Sequence, residues 1–194
     1  MSKIIGLTGG IGSGKTMVAN YIQSLGFPVY ISDDEARELM DTNEIIQSVS
    51  NEFGNDIIDD KKINRQKLAK IVFNNPDKLQ KLNSIIHPQV KKHFDSWLQK
   101  HEKYPIVFKE AAILFESGSY KDCDAVIAIT APLEVRIQRV MERDKTDRES
   151  ILTRMKNQWT DKQRAAKSNY VIHNVLVEDT KSQIDKILNL LKNQ

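Results

Sequence analysis

The stretch Lys3–Thr16, KIIGLTGGIGSGKT, decides how the chain begins to fold. Its first residues are mostly apolar and lead into two glycines, which predicts a buried strand over Lys3–Thr8 followed by a sharp turn. Residues Gly9–Thr16 match the pattern G-x-x-x-x-G-K-[ST]. That pattern is typical of a loop whose backbone N–H groups, together with the positive end of the next helix, hold the phosphates of a nucleotide.

The residue types of this loop suit phosphate binding. Glycine adopts positive φ angles at little steric cost and lets backbone N–H groups approach phosphate oxygens closely. We expect Lys15 to reach the β- and γ-phosphates and the hydroxyl of Thr16 to bind Mg²⁺. The predicted nucleotide-binding residues follow one another along the loop: Gly10, Ile11, Gly12, Ser13, Gly14, Lys15, Thr16 and Met17.

The residues after the loop predict a βαβ unit. Apolar residues follow helical spacing at Val18, Tyr21, Ile22 and Leu25. Gly26 gives a stop signal for this helix, and Pro28–Ile31 predicts a second buried strand. A strand, a helix and a strand within about 30 residues predict a parallel sheet with a right-handed crossover.

The pattern changes after the second strand. Residues 34–104 show helical periodicity and no convincing strand, so we expect them to form a helical insertion. His87-Pro88 predicts a break within it, because proline lacks the N–H that continues a helix. A further helix is then expected to begin with the apolar residues Val90, Phe94, Trp97 and Leu98.

Strands and helices alternate again in the last part of the chain. Apolar stretches predict strands at Pro105–Lys109, Asp124–Thr130 and Tyr170–Ile172. Pro132 predicts the first turn of a helix, and residues 136–167 are strongly polar and basic. An apolar stripe predicts a C-terminal helix: Ile184, Ile187, Leu188 and Leu191. The order of these elements predicts an α/β fold.

Composition excludes several classes of protein. The chain has 194 residues, enough for one large domain or a core with insertions, and 40% of them are hydrophobic. No stretch approaches 18 uninterrupted apolar residues, so no membrane-spanning helix is expected. The net charge of +3 is far below the dense basic surface of a nucleic-acid-binding protein. Its single cysteine, Cys123, cannot form an internal disulfide and fits a cytoplasmic location.

Nucleotide binding alone does not define a function. No guanine-reading Asn-Lys-x-Asp occurs, which argues against a GTPase switch, and a large mechanical ATPase would usually be longer. A small-molecule kinase needs an acceptor pocket, a carboxylate near the acceptor hydroxyl, and arginines that fold over the transferred phosphoryl group. The chain offers candidates for all three.

At these candidate residues the chain resembles the dephospho-CoA kinase family. The shared motifs keep the family's order along essentially the whole chain: Gly9–Thr16, Ser32–Arg37, His87-Pro88, Ile113–Glu116, Arg139 with Arg143-Asp144, Arg154 with Gln158, and Tyr170–Asn174. The resemblance implies ATP- and Mg²⁺-dependent phosphorylation of the 3′-hydroxyl of dephospho-coenzyme A, the last step of coenzyme A synthesis. It also implies small-molecule partners, no nucleic acid or membrane partner, and a monomer or small homo-oligomer.

The resemblance further implies a division of the chain. A five-stranded parallel sheet in a three-layer P-loop kinase fold is expected to form the nucleotide-binding core, residues 1–33, 105–135 and 168–194. Residues 34–104 are expected to form the helical acceptor domain. Residues 136–167, the lid segment, are expected to form a mobile lid.

The chain departs from the family's pattern at four places. Ile31-Ser32-Asp33 keeps only the second carboxylate of the common Asp-Ala-Asp, which puts any two-carboxylate mechanism in doubt. Ala112 replaces the usual proline, and Arg136 replaces a frequent glutamine. The loop ends in Lys15-Thr16-Met17, where the family commonly has Lys-Ser-Thr.

Three residues are candidates for acceptor binding. Asp33 follows the second strand, where open parallel sheets bind ligands, and is expected to act as the base or orienting acceptor for the ribose hydroxyl. Its alternative role is the N-cap of a helix that starts at Asp34. Arg37 is expected to hold the pyrophosphate of the acceptor, with a solvated surface position as the alternative. His87 is expected either to contact the acceptor or to form a turn.

The remaining candidates belong to the phosphoryl-transfer site. Arg139 and Arg143 are four residues apart and line one helix face, where like charges repel until a polyphosphate neutralises them. Arg136 is expected to be the solvated edge of that face, and Arg154 to close over the nucleotide. The motif that ends in Asn174 adds this residue to the predicted nucleotide-binding set. Glu110 is expected either to hold a magnesium-bound water or to cap a turn.

Two alternative functions remain open at this point. The same scaffold serves kinases of other small metabolites or nucleotides, and a panel of acceptors separates these from the expected reaction. A nucleotide-dependent regulatory ATPase, in contrast, would use water as its only productive nucleophile.

Overall fold

The structure, a computed structural model, describes residues 2–72 and 75–193. The chain divides into two compact units. The sheet unit comprises Met1–Ile31 and His101–Gln194, and the helical unit comprises Ser32–Lys100. The lid segment belongs to the sheet unit in this division, and its movement as a separate lid stays a prediction.

The strands are numbered in chain order. They are β1 (Lys3–Thr8), β2 (Val29–Ile31), β3 (Ile58–Asp59), β4 (Lys62–Ile63), β5 (Ile106–Glu110), β6 (Ala125–Thr130) and β7 (Tyr170–His173). Five of them form a parallel sheet in the order β2-β5-β1-β6-β7. The predicted α/β fold with a five-stranded parallel sheet is therefore confirmed.

The helices are α1 (Lys15–Ser24), α2 (Ser32–Leu39), α3 (Asn43–Phe53), α4 (Arg65–Val72), α5 (Pro76–Lys100), α6 (Leu133–Asp144), α7 (Arg148–Lys156), α8 (Asp161–Lys167) and α9 (Val177–Lys192). Short 3₁₀ turns lie at Asn55–Ile57 and Ser119–Asp122. Within the described residues, no helix is long and apolar enough to cross a membrane.

Both faces of the sheet are buried. Successive side chains of a strand point to opposite faces, and each face packs in its own apolar cluster. Ile127 and Ile129 of β6 pack with α1 and α9 in the largest apolar cluster. Val126, their neighbour, instead packs with Leu114 and Phe115 in a cluster on the other face. Strands covered on both sides are apolar at nearly every position, which is why the sequence predicted them well.

The helical unit packs its helices around α5. Contacts join α5 to α2, α3 and α4, and the unit has its own apolar cluster that includes Val49, Leu68 and Leu82. The expectation of no strand in this region is wrong, because β3 and β4 form a small antiparallel pair. Their turn uses Asp60 and Lys61 at φ angles of 48° and 63°. Strands of two residues show no alternating pattern, and this turn lacks the glycine that signals a hairpin.

The predicted helix break at His87-Pro88 is also wrong. α5 continues through Pro88 to Lys100. Pro88 cannot donate the hydrogen bond that the carbonyl oxygen of Ser84 would receive, and its ring crowds the preceding turn. Buried side chains on both sides of it, Ile86 and Phe94, supply the packing that keeps the helix continuous.

We predict that Pro88→Ala stabilises the helical unit. Alanine restores the missing N–H and removes the ring, so the free energy of unfolding should rise by about 1–3 kcal/mol. Chemical denaturation measures the change. Lys92→Ala, one turn further along the exposed side of α5, is the control and should change stability by less than about 0.5 kcal/mol. Destabilisation by Pro88→Ala would contradict this account of the helix.

Candidate active site

The phosphate loop, residues 9–16, connects β1 to α1 at the carboxyl end of the central strand. Gly12 and Gly14 have φ angles of 77° and 90°, a region that other residues rarely adopt. A side chain at Gly14 would also overlap the side-chain amide of Asn174. The loop therefore has the conformation that the glycine pattern predicts.

Lys15 is the first residue of α1, and its side chain turns back over the loop. Its Nζ donates a hydrogen bond to the carbonyl oxygen of Gly9 at 2.9 Å. The same atom lies 3.9 Å from a carboxylate oxygen of Glu110, a buried residue at the end of β5. The loop thus holds a cation in place for an anionic ligand, with a buried carboxylate beside it.

Asn174 supports the loop from the protein interior. It follows β7 and is buried. Its side-chain nitrogen donates to the carbonyl oxygen of Ser13 at 2.8 Å, and its side-chain oxygen accepts from the hydroxyl of Thr180 at 3.0 Å. Direct contact between Asn174 and a nucleotide stays a prediction.

Ile11 is held by the lid segment. Its backbone N–H donates to Oε1 of Gln158 at 3.0 Å, and its carbonyl oxygen accepts from Nε of Arg136 at 2.9 Å. Its side chain packs against an apolar cluster of α6 and α7: Ile137, Val140 and Ile151. The phosphate loop and the lid segment are therefore in direct contact.

The expectation that Arg136 is a solvated edge is wrong. Its side chain is only 10% exposed, and its guanidinium pairs with the carboxylate of Asp161 at 3.0 Å. A side chain at Gly10 would overlap this guanidinium. Helical spacing gave the face on which Arg136 lies, but it carried no information on α8, which supplies the carboxylate.

Arg139 lies beside the phosphate loop. Its Nη1 donates to the carbonyl oxygen of Asn174 at 3.1 Å and lies 3.7 Å from the position of a Cβ built on Gly14. Its guanidinium is thus close to the first turn of α1, where the helix dipole also favours an anion.

Arg143 and Arg154 meet at one carboxylate. Nε of Arg143 donates to Asp144 at 2.6 Å, and Nη1 of Arg154 donates to the same side chain at 3.0 Å. Hydrogen bonds from Arg143, and then from Arg154, lower the pKa of the Asp144 carboxyl to about 2. The repulsion expected along α6 is therefore compensated, because Arg136 and Arg143 each have an acidic partner.

The predicted acceptor residues Asp33, Arg37 and His87 all lie in the helical unit. α2 begins at Ser32, so Asp33 is inside its first turn and does not have the alternative role of N-cap. Arg37 pairs with Asp34 at 3.1 Å. His87 lies within α5 with an exposed side chain, and partial desolvation lowers the pKa of its imidazole. Their contacts with an acceptor stay predictions.

The oxygen donors at the loop suit Mg²⁺. Thr16 is exposed on the first turn of α1, and the carboxylate of Glu110 lies next to Lys15. Mg²⁺ prefers oxygen ligands and commonly takes one or two from the protein, with phosphates and water completing its shell. The residues present therefore fit a magnesium-bound nucleotide.

Comparison with known proteins identifies the family of this site. The sequence profile described as dephospho-CoA kinase matches residues 3–179. A dephospho-CoA kinase of Bacteroides fragilis strain YCH46 is 36% identical over 188 residues, which cover 96% of this chain and 90% of the relative. The chain belongs to the dephospho-CoA kinase family. The resemblance found in the sequence is thereby confirmed, and with it the class of enzyme, a kinase.

Solved structures agree with this assignment. A Thermus thermophilus protein of known crystal structure matches with a TM-score of 0.91 and 31% identity, covering 97% of each chain. Dephospho-CoA kinase from Campylobacter jejuni matches with a TM-score of 0.72 and 27% identity, covering 98% of each chain. The Campylobacter jejuni match agrees with the family assignment, and both matches extend over the sheet unit and the helical unit.

Sequence reasoning missed the residues that support the loop. Glu116 accepts hydrogen bonds from the backbone N–H of Trp159 and from Nη2 of Arg164, both at 2.9 Å. Gln158 and Glu116 were recognised only as members of shared motifs. Asp161 and Arg164 gave no signal, because their roles depend on contacts with residues far away in sequence.

We predict that the Asp144 pairing stabilises the protein only at pH values where Asp144 is ionised. Its pKa in the folded protein is depressed, so its contribution is present above about 3.8 and is lost as pH falls toward about 2. The difference in unfolding free energy between the wild type and Asp144→Asn should therefore shrink over that range.

Urea denaturation at pH 7 and at pH 3 measures this difference. Glu142→Gln is the matched control, since the carboxylate of Glu142 accepts from Gln138 and has no arginine partner within residues 2–72 and 75–193. A difference for Asp144→Asn that is equal at both pH values would contradict the assigned pairing.

Proposed function

We propose that the protein transfers the γ-phosphoryl group of ATP to the 3′-hydroxyl of dephospho-coenzyme A, giving ADP and coenzyme A. Membership of the dephospho-CoA kinase family supports the substrate and the product. The observation that carries the donor half of the reaction is the placement of Lys15 and Arg139 at a glycine loop that opens a helix. A cytoplasmic monomer or small homo-oligomer without nucleic acid or membrane partners is proposed with it.

The donor half depends on fixed positive charge and backbone donors. Backbone N–H groups of the loop and the N-terminus of α1 bind the phosphates, and Lys15 leaves the carbonyl oxygen of Gly9 to contact the β- and γ-phosphates. Thr16 would hold Mg²⁺, with Glu110 accepting from its bound water. The metal supplies neutralisation of the charge on the phosphates.

The acceptor half is assigned to the helical unit. The carboxylate of Asp33 accepts the proton of the ribose 3′-hydroxyl while the oxygen of that hydroxyl forms a bond to the γ-phosphorus. The bond from the γ-phosphorus to the β–γ bridging oxygen breaks, and its electron pair stays on ADP. Arg37 and His87 are proposed to hold the acceptor. With Ile31 in place of a first carboxylate, Asp33 is the only acid at its motif's two acidic positions.

The lid arginines are proposed to stabilise the charge that develops on the transferred phosphoryl group. Arg139 is already beside the loop, whereas Arg143 and Arg154 are held by Asp144. A triphosphate carries more negative charge than one carboxylate, so it can replace Asp144 as their partner. This exchange would bring Arg143 and Arg154 to the nucleotide only when it is bound.

Product analysis tests the proposed reaction. Purified protein is incubated with Mg-ATP and dephospho-coenzyme A. The expected product has the mass of coenzyme A, and one ADP should form for each molecule of coenzyme A. A panel of nucleosides, nucleotides and sugar alcohols tests for another acceptor, and ADP formed without acceptor would indicate a regulatory ATPase. Either of these results, without coenzyme A formation, would reject the proposal.

Lys15→Ala should abolish most of the activity. It removes a positive charge from a site that stabilises a polyanion, and loss of one such preorganised contact typically reduces the rate by about 10²–10³. The fold should be retained, because Lys15 lies at the loop and outside the apolar clusters. The melting temperature should fall, since the buried carboxylate of Glu110 loses a neighbouring cation. Steady-state kinetics measure the effect, with Lys186→Ala on α9 as the control. Wild-type turnover by Lys15→Ala would refute the assigned phosphate site.

Asp33→Asn should reduce turnover while ATP affinity and melting temperature stay near those of the wild type. Asparagine keeps the shape of the side chain but cannot accept a proton, and a general base typically contributes about 10²–10⁴-fold. Glu38→Gln is the control on the same helix, since Glu38 is exposed and has no proposed role in acceptor binding. An unchanged turnover number at saturating acceptor would exclude Asp33 as the base.

A further inference from the structure

We infer that Arg136 and Gln158 are positioning residues that fix the conformation of the phosphate loop by holding the two peptide groups of Ile11. This inference depends on one part of the proposed function, the binding of ATP by the phosphate loop. The carbonyl oxygen of Ile11 accepts from Nε of Arg136 at 2.9 Å, and its N–H donates to Gln158 at 3.0 Å. Both polar groups at the tip of the loop are thus bonded to the lid segment.

The loop glycines leave the space that Arg136 occupies. A side chain at Gly10 would overlap the guanidinium of Arg136, and a side chain at Gly12 would overlap its backbone carbonyl oxygen. The start of α6 therefore packs directly on the loop. Because these contacts surround Ile11, a shift of Arg136 would shift the loop that carries the phosphate-binding N–H groups.

Arg136 is itself fixed by a buried network of charges. Asp161 pairs with Arg136 at 3.0 Å and with Arg164 at 3.7 Å, and Glu116 pairs with Arg164 at 2.9 Å. Arg136 and Arg164 are 10% and 1% exposed, respectively, so solvent screens these pairs weakly. The two guanidinium groups and the two carboxylates give this network no net charge. Removing one of the four groups leaves a buried charge without compensation.

The network also orients Gln158. The neighbouring residue, Trp159, donates its backbone N–H to Glu116 at 2.9 Å and accepts at its carbonyl oxygen from Arg164. Its ring stacks on Phe115 with centroids 5.4 Å apart. The backbone on the C-terminal side of Gln158 is therefore held in place, and with it the side chain that reaches Ile11.

Fixed loop geometry matters because catalysis by charged and backbone donors depends on their position before the ligand arrives. A misplacement of about 1 Å costs about 10²-fold in rate when it affects the reacting groups. Arg136 and Gln158 are proposed to act through the loop and not by touching ATP. Their loss should therefore affect ATP binding and turnover but leave the KM for dephospho-coenzyme A unchanged.

Two substitutions at position 136 separate the loop contact from the ion pair. The side-chain nitrogen of glutamine is as many bonds from Cα as Nε of arginine, so Arg136→Gln keeps the donor to Ile11. Arg136→Met has a similar length and no donor. Both variants are made together with Asp161→Asn, so that neither leaves an unpaired carboxylate at position 161.

The methionine variant should bind ATP about 10-fold to 100-fold more weakly than the glutamine variant, with the same loss in kcat/KM for ATP. Their melting temperatures should agree within a few degrees, because the two variants differ by one hydrogen bond. Calorimetric titration with Mg-ATP measures affinity without an acceptor, so the inference is tested even if coenzyme A is not formed. Arg148→Met is the control, since Arg148 makes an exposed pair with Glu134 in the same segment. Equal ATP affinity of the two position-136 variants would overturn the role of Arg136.

A second pair of variants keeps the test decisive if substitutions at position 136 do not fold. Gln158→Glu retains the acceptor for the N–H of Ile11, and Gln158→Met removes it. The methionine variant should again bind ATP more weakly, and its Ile11 amide should exchange faster with deuterium. Equal affinity and equal exchange in these two variants would show that Gln158 does not position the loop.

Discussion

The phosphate loop depends on hydrogen bonds that hold its peptide groups from the protein side. Inside the loop, the N–H of Ser13 donates to the carbonyl oxygen of Gly10, and the peptide groups that lack such a partner need one from the surrounding protein. Asn174 supplies one support at Ser13, and Arg136 and Gln158 supply two more at Ile11. These contacts come from the residue after β7, from α6 and from the turn after α7, so the C-terminal half of the chain shapes a loop encoded near its beginning.

The lid segment can be strongly basic and still fold because carboxylates neutralise most of its arginines. These arginines pair with acids of α6, of α8 and of the turn after β5: Arg136–Asp161, Arg164–Glu116, Arg143–Asp144, Arg154–Asp144 and Arg148–Glu134. Residues 136–167 therefore have defined contacts in the structure described here, in place of the mutual repulsion expected from the sequence. A basic composition alone did not reveal these partners.

The sequence predicted the parallel sheet well because buried strands give continuous apolar runs, and it predicted the loop because Gly9–Thr16 is a local pattern. It failed where long-range packing overrides local preference. Pro88 lies inside one long helix because apolar contacts on both sides outweigh its local cost. Arg136 is buried because α8 returns to it with Asp161, a contact that no local pattern encodes. The roles of Asp33, Arg37 and His87 rest on the resemblance and on the proposal.

Exposure separates the arginines of the lid segment into two groups with different physical behaviour. Arg136 and Arg164 are 10% and 1% exposed, so exchanging their partners would place unpaired charges in a poorly solvated region. Arg143 and Arg154 are 62% and 43% exposed, so water can solvate each guanidinium when it leaves Asp144. A phosphate can therefore replace Asp144 without leaving a buried charge unpaired. The buried arginines suit permanent support of the loop, and the exposed ones suit a contact made and broken in each catalytic cycle.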